Sequence, residues 1–191
     1  MKQLILASGS PRRKELLSQI VQDFVVVPSG YEEDMTLRKS PDELALHLSE
    51  GKAQDVAKKY PDAVILSADT FVVVGKEVLG KPKDLEDAQK MLKKESGKMQ
   101  RVITGFTVLE SIGTKKKQEV VVSKVFMKSL SEEEIAMYVT THEVLDKSGS
   151  YAIQEIGDKF VEKIEGSYTN IMGLPVEEIK RMLEEFGIKT L

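Results

Sequence analysis

Cysteine is missing from all 191 residues, and histidine occurs only twice. The first absence removes disulfides, thiolate nucleophiles and cysteine-based zinc sites together, and it fits a reducing, cytoplasmic compartment. His47 and His142 each fall in a stretch that reads as helix or helix end, without a partner at metal-ligand spacing, so histidine catalysis is not expected. Long apolar runs are also lacking: Leu4-Ile5-Leu6-Ala7 is too short for a secretory core, and nothing approaches a membrane span. An excess of positive charge is absent as well. The net charge of -3 argues against a nucleic-acid backbone as partner, although a local cationic pocket inside an acidic shell is compatible with it. With 41% hydrophobic and 31% charged residues the composition is that of a compact globular protein. No repeat, low-complexity tract or Pro/Gly-rich linker divides the chain, so residues 1–191 are taken as one domain, and the sequence leaves a homodimer open.

What is present is an alternation of strand-like and helical segments, which predicts an α/β fold. Strand-like runs occur at Leu4 to Ala7, Phe24 to Val27 and Ala63 to Val74. Ser40-Pro41-Asp42-Glu43 is a capping box that opens a long helix through about Lys59, and a second helix is expected from Asp84 to about Glu95. Arg101 to Glu110, a polar turn, and Glu119 to Met127 read as an antiparallel hairpin, which makes the sheet mixed. Ser131-Glu132-Glu133-Glu134 caps another helix, and Pro175 opens the last one, stopped near Phe186 by Gly187. Two lobes around a central cleft are expected from the split between the two halves of these elements.

The most informative segment is Ser8-Gly9-Ser10-Pro11-Arg12-Arg13, a strand-to-helix turn. Ser10 suits an N-cap and Pro11 the first helical position, and the free N–H groups of a helix start favour an anion. Two arginines in that turn oppose the helix dipole unless a multiply charged anion sits there. Asp69 lies inside the nearly continuous apolar run Ala63 to Val74, where a carboxylate is tolerated if paired, strongly hydrogen-bonded or metal-bound. Gly80-Lys81-Pro82 forms a constrained turn that makes Lys81 a candidate phosphate ligand, whereas Lys52, in the long helix, lacks such a context. Glu32, Glu33 and Asp34 form an acidic cluster suited to helping hold a hard divalent cation. Asp146 to Gln154 reads as a loop running into a strand, with the Gln154 amide able to read the planar edge of a base. Glu165 to Pro175 is a glycine-containing loop that feeds a helix and offers Tyr168 and Asn170 to a ligand. Several basic or amide-bearing turns and one strand-embedded aspartate point to a pocket for a nucleoside polyphosphate.

Taken in order, Ser8 to Arg13, Ala68-Asp69-Thr70, Leu79-Gly80-Lys81-Pro82, Val102-Ile103-Thr104-Gly105, Asp146 to Gln154 and Asn170 to Pro175 resemble the Maf family of nucleoside triphosphate pyrophosphatases along essentially the whole chain. The resemblance implies a mixed, elongated sheet with flanking helices and the inosine triphosphatase-like (Maf/Ham1) fold, with two lobes around a deep cleft. It implies cleavage of a nucleoside triphosphate to monophosphate and pyrophosphate with Mg2+ or Mn2+, and a house-cleaning role against noncanonical nucleotides. The family's name comes from an association with inhibition of septum formation. By the same resemblance Asp69 is the general base, Arg12, Thr70 and Gln154 are tied to substrate choice, and Ser8, Ser10, Arg13, Glu33, Lys52 and Lys81 match phosphate or metal contacts. The Ala-Asp-Thr form resembles the branch that acts on dTTP and UTP. Gln100, Val144 and Glu155 depart from residues common in the family, His, Pro and Gly respectively. Glu155 is nearest the expected site and adds negative charge to it.

With neither cysteine nor a histidine pair, the chemistry that fits is direct attack of water on the α-phosphorus, assisted by a carboxylate and a divalent cation held by Asp69 and Glu33. Asp69 as base, metal ligand or both stays open on the sequence. A non-catalytic nucleotide sensor and a nucleotidyltransferase are the alternatives, and the second needs an acceptor site that the sequence does not supply.

Overall fold

In the computed structural model, which describes residues 2–34 and 36–191, the chain begins with strand β1 (Gln3–Leu6), helix α1 (Pro11–Ser18), β2 (Val25–Val26) and α2 (Pro41–Ala57). Strands β3 (Ala63–Val74) and β4 (Glu77–Leu79), helix α3 (Leu85–Glu95), and strands β5 (Met99–Glu110) and β6 (Lys116–Met127) follow. The remainder is α4 (Glu132–Thr141), α5 (Ile153–Phe160), β7 (Val161–Glu165), α6 (Tyr168–Ile171) and α7 (Val176–Glu185). Among the described residues one mixed seven-stranded sheet runs β2-β1-β3-β5-β6-β7, with β4 paired to β3. The expected α/β class and the mixed sheet with flanking helices are therefore found.

Contacts divide the chain into two compact units. The first comprises residues up to Asp69, Thr104–Val121 and Gly173–Leu191. Here β1 lies parallel to β2, with Ile5 opposite Val25, and parallel to β3, with Leu6 opposite Leu66. Ile5, Ala7, Ala53, Val56, Ala63, Ile65 and Leu109 form a core cluster. β2 is shorter than the run Phe24 to Val27, although the Val27 N–H still donates to the Leu6 carbonyl at 3.0 Å. Gly105 is where α2 meets β5: a Cβ there would lie 2.5 Å from the Ala45 carbonyl carbon and 2.7 Å from the Leu46 nitrogen. Only glycine permits that approach.

The second unit comprises Thr70–Ile103 and Val122–Met172. In it β4 returns antiparallel to β3, β7 lies antiparallel to β6, and Leu92, Val125, Ile135, Tyr138, Ile156 and Phe160 are part of the core. The segment expected to run from loop into strand at Gln154 instead enters helix α5. Ile153 and Ile156 are both buried, and their spacing of three residues is satisfied by one helical turn rather than by strand alternation, the helical backbone then breaking at Gly157. The strand begins only at Val161. Ser40 and Ser131 form the expected capping boxes with Glu43 and Glu134, and Gly187 ends α7 at a φ of 74°.

Candidate active site

Parallel pairing of β1 with β3 carries the turn after β1 to the same end of the strands as residues 67–69, and the Ala7 N–H extends the ladder by donating to the Leu66 carbonyl at 2.7 Å. Open α/β sheets bind ligands at that carboxyl end. Ser8 is buried, and its Oγ accepts from the Ser10 N–H at 3.2 Å and from Arg13 Nη1 at 3.4 Å. Ser10 is the N-cap of α1, Pro11 opens the helix, and the first turn holds no acidic residue. Arg13 is partly buried and held, its Nε donating to the Gly173 carbonyl at 2.9 Å. Burial draws its pKa down; Asp69 and Glu33 oppose that shift, while the charge of Arg12 adds to it. Arg13 thus sits within reach of the Asp69 and Glu33 carboxylates and of the Arg12 charge.

Asp69 is 7% exposed on β3. Its Oδ1 pairs with the Lys52 ammonium, which also lies 2.8 Å from Glu33 Oε1. Asp69 Oδ2 is buried and has no hydrogen-bond partner among the described residues. Burial raises the Asp69 pKa above the ordinary carboxylate value, against the pull of Lys52 and Arg13. Lys52 reaches this position because it shares a helical stripe with the buried residues Ala45, Ser49 and Val56, at spacings of seven, three and four. Lys52, marked in the sequence by the family resemblance and not by a constrained loop, is thus placed against Asp69 and Glu33. Of the acidic cluster, Asp34 is turned to its own loop, accepting from the Thr36 N–H at 2.9 Å, while Glu33 faces Lys52.

The second unit holds Thr70, Lys81 and Gln154. Ser148 Oγ donates to the Thr70 carbonyl at 3.0 Å, and the Gly149 N–H donates to the Gly80 carbonyl at 3.1 Å. The turn bearing Lys81 and the loop leading to Gln154 are thereby stitched to the strand that carries Thr70. Lys81 and Gln154 are exposed. Asn170, expected to be offered to a ligand, is instead fully buried, donating to the Val102 carbonyl at 3.1 Å and to Ser123 Oγ at 3.0 Å. Its amide satisfies strand groups that burial would otherwise leave costly. The charge of Glu155 is likewise engaged: Oε2 accepts from the Tyr138 hydroxyl at 2.9 Å and Oε1 lies 3.9 Å from Lys147 Nζ.

Among the described residues no cluster of three or more His, Cys, Asp or Glu side chains is assembled for a metal ion. Glu33 and Asp69 nevertheless converge on one cationic group, and the free Oδ2 of Asp69 is an oxygen of the hard type that Mg2+ and Mn2+ take. These two residues fit a divalent cation that keeps most of its other positions for water and phosphate.

Residues 3–186 match the family described as Maf-like protein. The chain belongs to the Maf family. Similar relatives include a Methanosarcina barkeri protein named dTTP/UTP pyrophosphatase, 48% identical over 98% of this chain and 96% of that one. A Pyrococcus furiosus protein of the same name is 44% identical over 96% and 95%. Among solved structures, the Staphylococcus aureus Ham1 protein aligns with 97% of this Maf chain and 100% of its own, at a TM-score of 0.52 and 16% identity. That likeness establishes the shared Ham1-like fold.

Proposed function

We propose that this chain hydrolyses dTTP and UTP to the nucleoside monophosphate and pyrophosphate. The observation that carries the reading is the buried Asp69 carboxylate with one oxygen tied to Lys52 and the other without a partner, in a family whose relatives carry that activity in their names. Asp69 is assigned as the group that accepts a proton from the attacking water, a role supported by burial drawing its pKa above the ordinary carboxylate value. Arg12 and Arg13, in the first turn of α1, neutralise charge on the departing pyrophosphate, while the Ser8 and Ser10 N–H groups shape the turn by donating to the Leu6 carbonyl and Ser8 Oγ. Glu33 and Asp69 would hold Mg2+ or Mn2+, which when bound supplies charge neutralisation on phosphate oxygens and a more acidic water. Lys52 compensates the charge of both carboxylates. Lys81 is assigned to phosphate, and Thr70 and Gln154 to the choice of nucleotide.

The test is incubation of the purified protein with Mg2+ and a panel of canonical and modified triphosphates, with pyrophosphate and monophosphate measured together. Equal amounts of both, without an acceptor and fastest for dTTP and UTP, are expected. Orthophosphate as the first product overturns the reading. Binding without turnover, or turnover that requires an acceptor, replaces it with a sensor or a transferase.

A further inference from the structure

Gln154 sits at the second position of α5, a helix whose start is poorly built by local rules. Its N-cap is Ala152, which has no side chain to offer, and the helical backbone is interrupted at Gly157, where φ is 34° and ψ is -139°. What remains is one turn, too short to hold itself in water. The other half of a capping box, the partner for the N-cap N–H, comes from elsewhere. The Ala152 N–H donates to the Tyr138 hydroxyl oxygen at 3.2 Å, and the same hydroxyl donates to Glu155 Oε2 at 2.9 Å. In an ordinary capping box a glutamate at the third helical position reaches back to the N-cap N–H directly. Here Glu155 is that third-position glutamate, and Tyr138 is inserted as a relay between it and the N–H.

The relay is anchored. Tyr138 is 4% exposed on α4, its ring stacked on His142 at 4.4 Å between centroids and edge-on to Phe160, the last residue of α5, at 5.4 Å. One tyrosine therefore grips both ends of the segment that bears Gln154. Glu155 also carries negative charge into the first turn, where the helix dipole favours it, and lies 3.9 Å from the buried Lys147 ammonium. Gln154 lies between the two clamped positions, Ala152 and Glu155, and its direction follows from theirs.

We infer that Tyr138 and Glu155 are positioning residues that hold Gln154 in register to read the nucleobase, an inference that rests on the assignment of Gln154 to nucleotide choice.

The experiment compares Tyr138→Phe, Glu155→Ala, Glu155→Gln and Gln154→Ala, measuring kcat/KM for dTTP and for dCTP with Mg2+. Hydrogen exchange of the 152–156 amides is followed in parallel. The phenylalanine and alanine variants are expected to lower kcat/KM for dTTP about tenfold through KM, the scale of one charge-assisted hydrogen bond partly lost, with much less effect on dCTP. The 152–156 amides exchange faster in both, and Glu155→Gln, which keeps an acceptor for the tyrosine, restores most of the preference. Unchanged dTTP-to-dCTP ratios in Tyr138→Phe and Glu155→Ala, with Gln154→Ala altering the ratio, overturn the positioning role alone. A Gln154→Ala variant with wild-type preference overturns it together with the assignment beneath it. Unchanged exchange in Tyr138→Phe overturns the relay whatever the activity.

Discussion

Replacing Lys52 by methionine keeps the apolar stem on its stripe of α2 and deletes only the ammonium shared by Glu33 and Asp69. The side chains of Lys52 and Asp69 are 12% and 9% exposed, so solvent screens their pairing little. Breaking a buried pair on one side costs about 3–5 kcal/mol, because the remaining charge stays desolvated. The lower end, about 3 kcal/mol, applies here, since Arg13 still acts on Asp69 and the carboxyl can take up a proton. For a chain of this size that corresponds to a drop in Tm of about 6–12 °C. The sign of the pH dependence follows from Asp69. Its folded pKa is already above the ordinary value, so its contribution is fully present below the unfolded pKa and fades as pH rises through the folded one. Removing Lys52 raises the folded pKa further and moves that window upward. Lys52→Met is therefore most destabilising at high pH and is rescued by acid. The assay is a urea or thermal unfolding series across pH for wild type, Lys52→Met, Asp69→Asn and the double variant. In the Asp69→Asn background the lysine substitution should cost under about 1 kcal/mol, leaving a coupling of about 2 kcal/mol. Additivity to within about 0.5 kcal/mol, or a loss independent of pH, refutes the pairing argument.

Asp69→Asn is expected to reduce kcat for pyrophosphate release by about 10²–10⁴-fold with nucleotide binding within a few-fold of wild type, checked by single-turnover assay and calorimetry. Glu95 is buried at the end of α3 with neither carboxyl oxygen hydrogen-bonded among the described residues, and burial pushes its pKa well up. Glu95→Leu should therefore stabilise the protein by about 1–3 kcal/mol. The wild type loses stability as pH rises through the raised Glu95 pKa, and the variant's melting profile should lack that component. Gly105→Ala, whose Cβ would meet the Ala45 and Leu46 backbone at 2.5 and 2.7 Å, should cost about 1–3 kcal/mol and show as a lowered Tm.

Local features were legible from the sequence because their partners lie within a turn. The Ser40–Glu43 and Ser131–Glu134 boxes, the Ser10-Pro11 start of α1 and the Gly187 stop are hydrogen bonds or dihedral choices spanning three or four residues. α5 was misread as a strand because its cap is not local: Ala152 carries none, and the tyrosine that supplies it lies 14 residues earlier. Asn170 was misassigned for a related reason. Its partners at Val102 and Ser123 lie 68 and 47 residues away, and nothing adjacent to the asparagine announces them.

By itself the chain's order of residues determined the α/β class, the caps that start α1, α2 and α4 and the stop of α7, the exclusion of thiol chemistry and the motifs that match the Maf family. These rest on composition, periodicity and contacts between near neighbours. Tertiary structure alone decided that Lys52 bridges Glu33 and Asp69 across 19 and 17 positions, that one Asp69 oxygen is left without a partner, and that Tyr138 completes the helix bearing Gln154. Charge compensation and burial depend on which distant segments the folded chain lays side by side, and no spacing within a single segment encodes that.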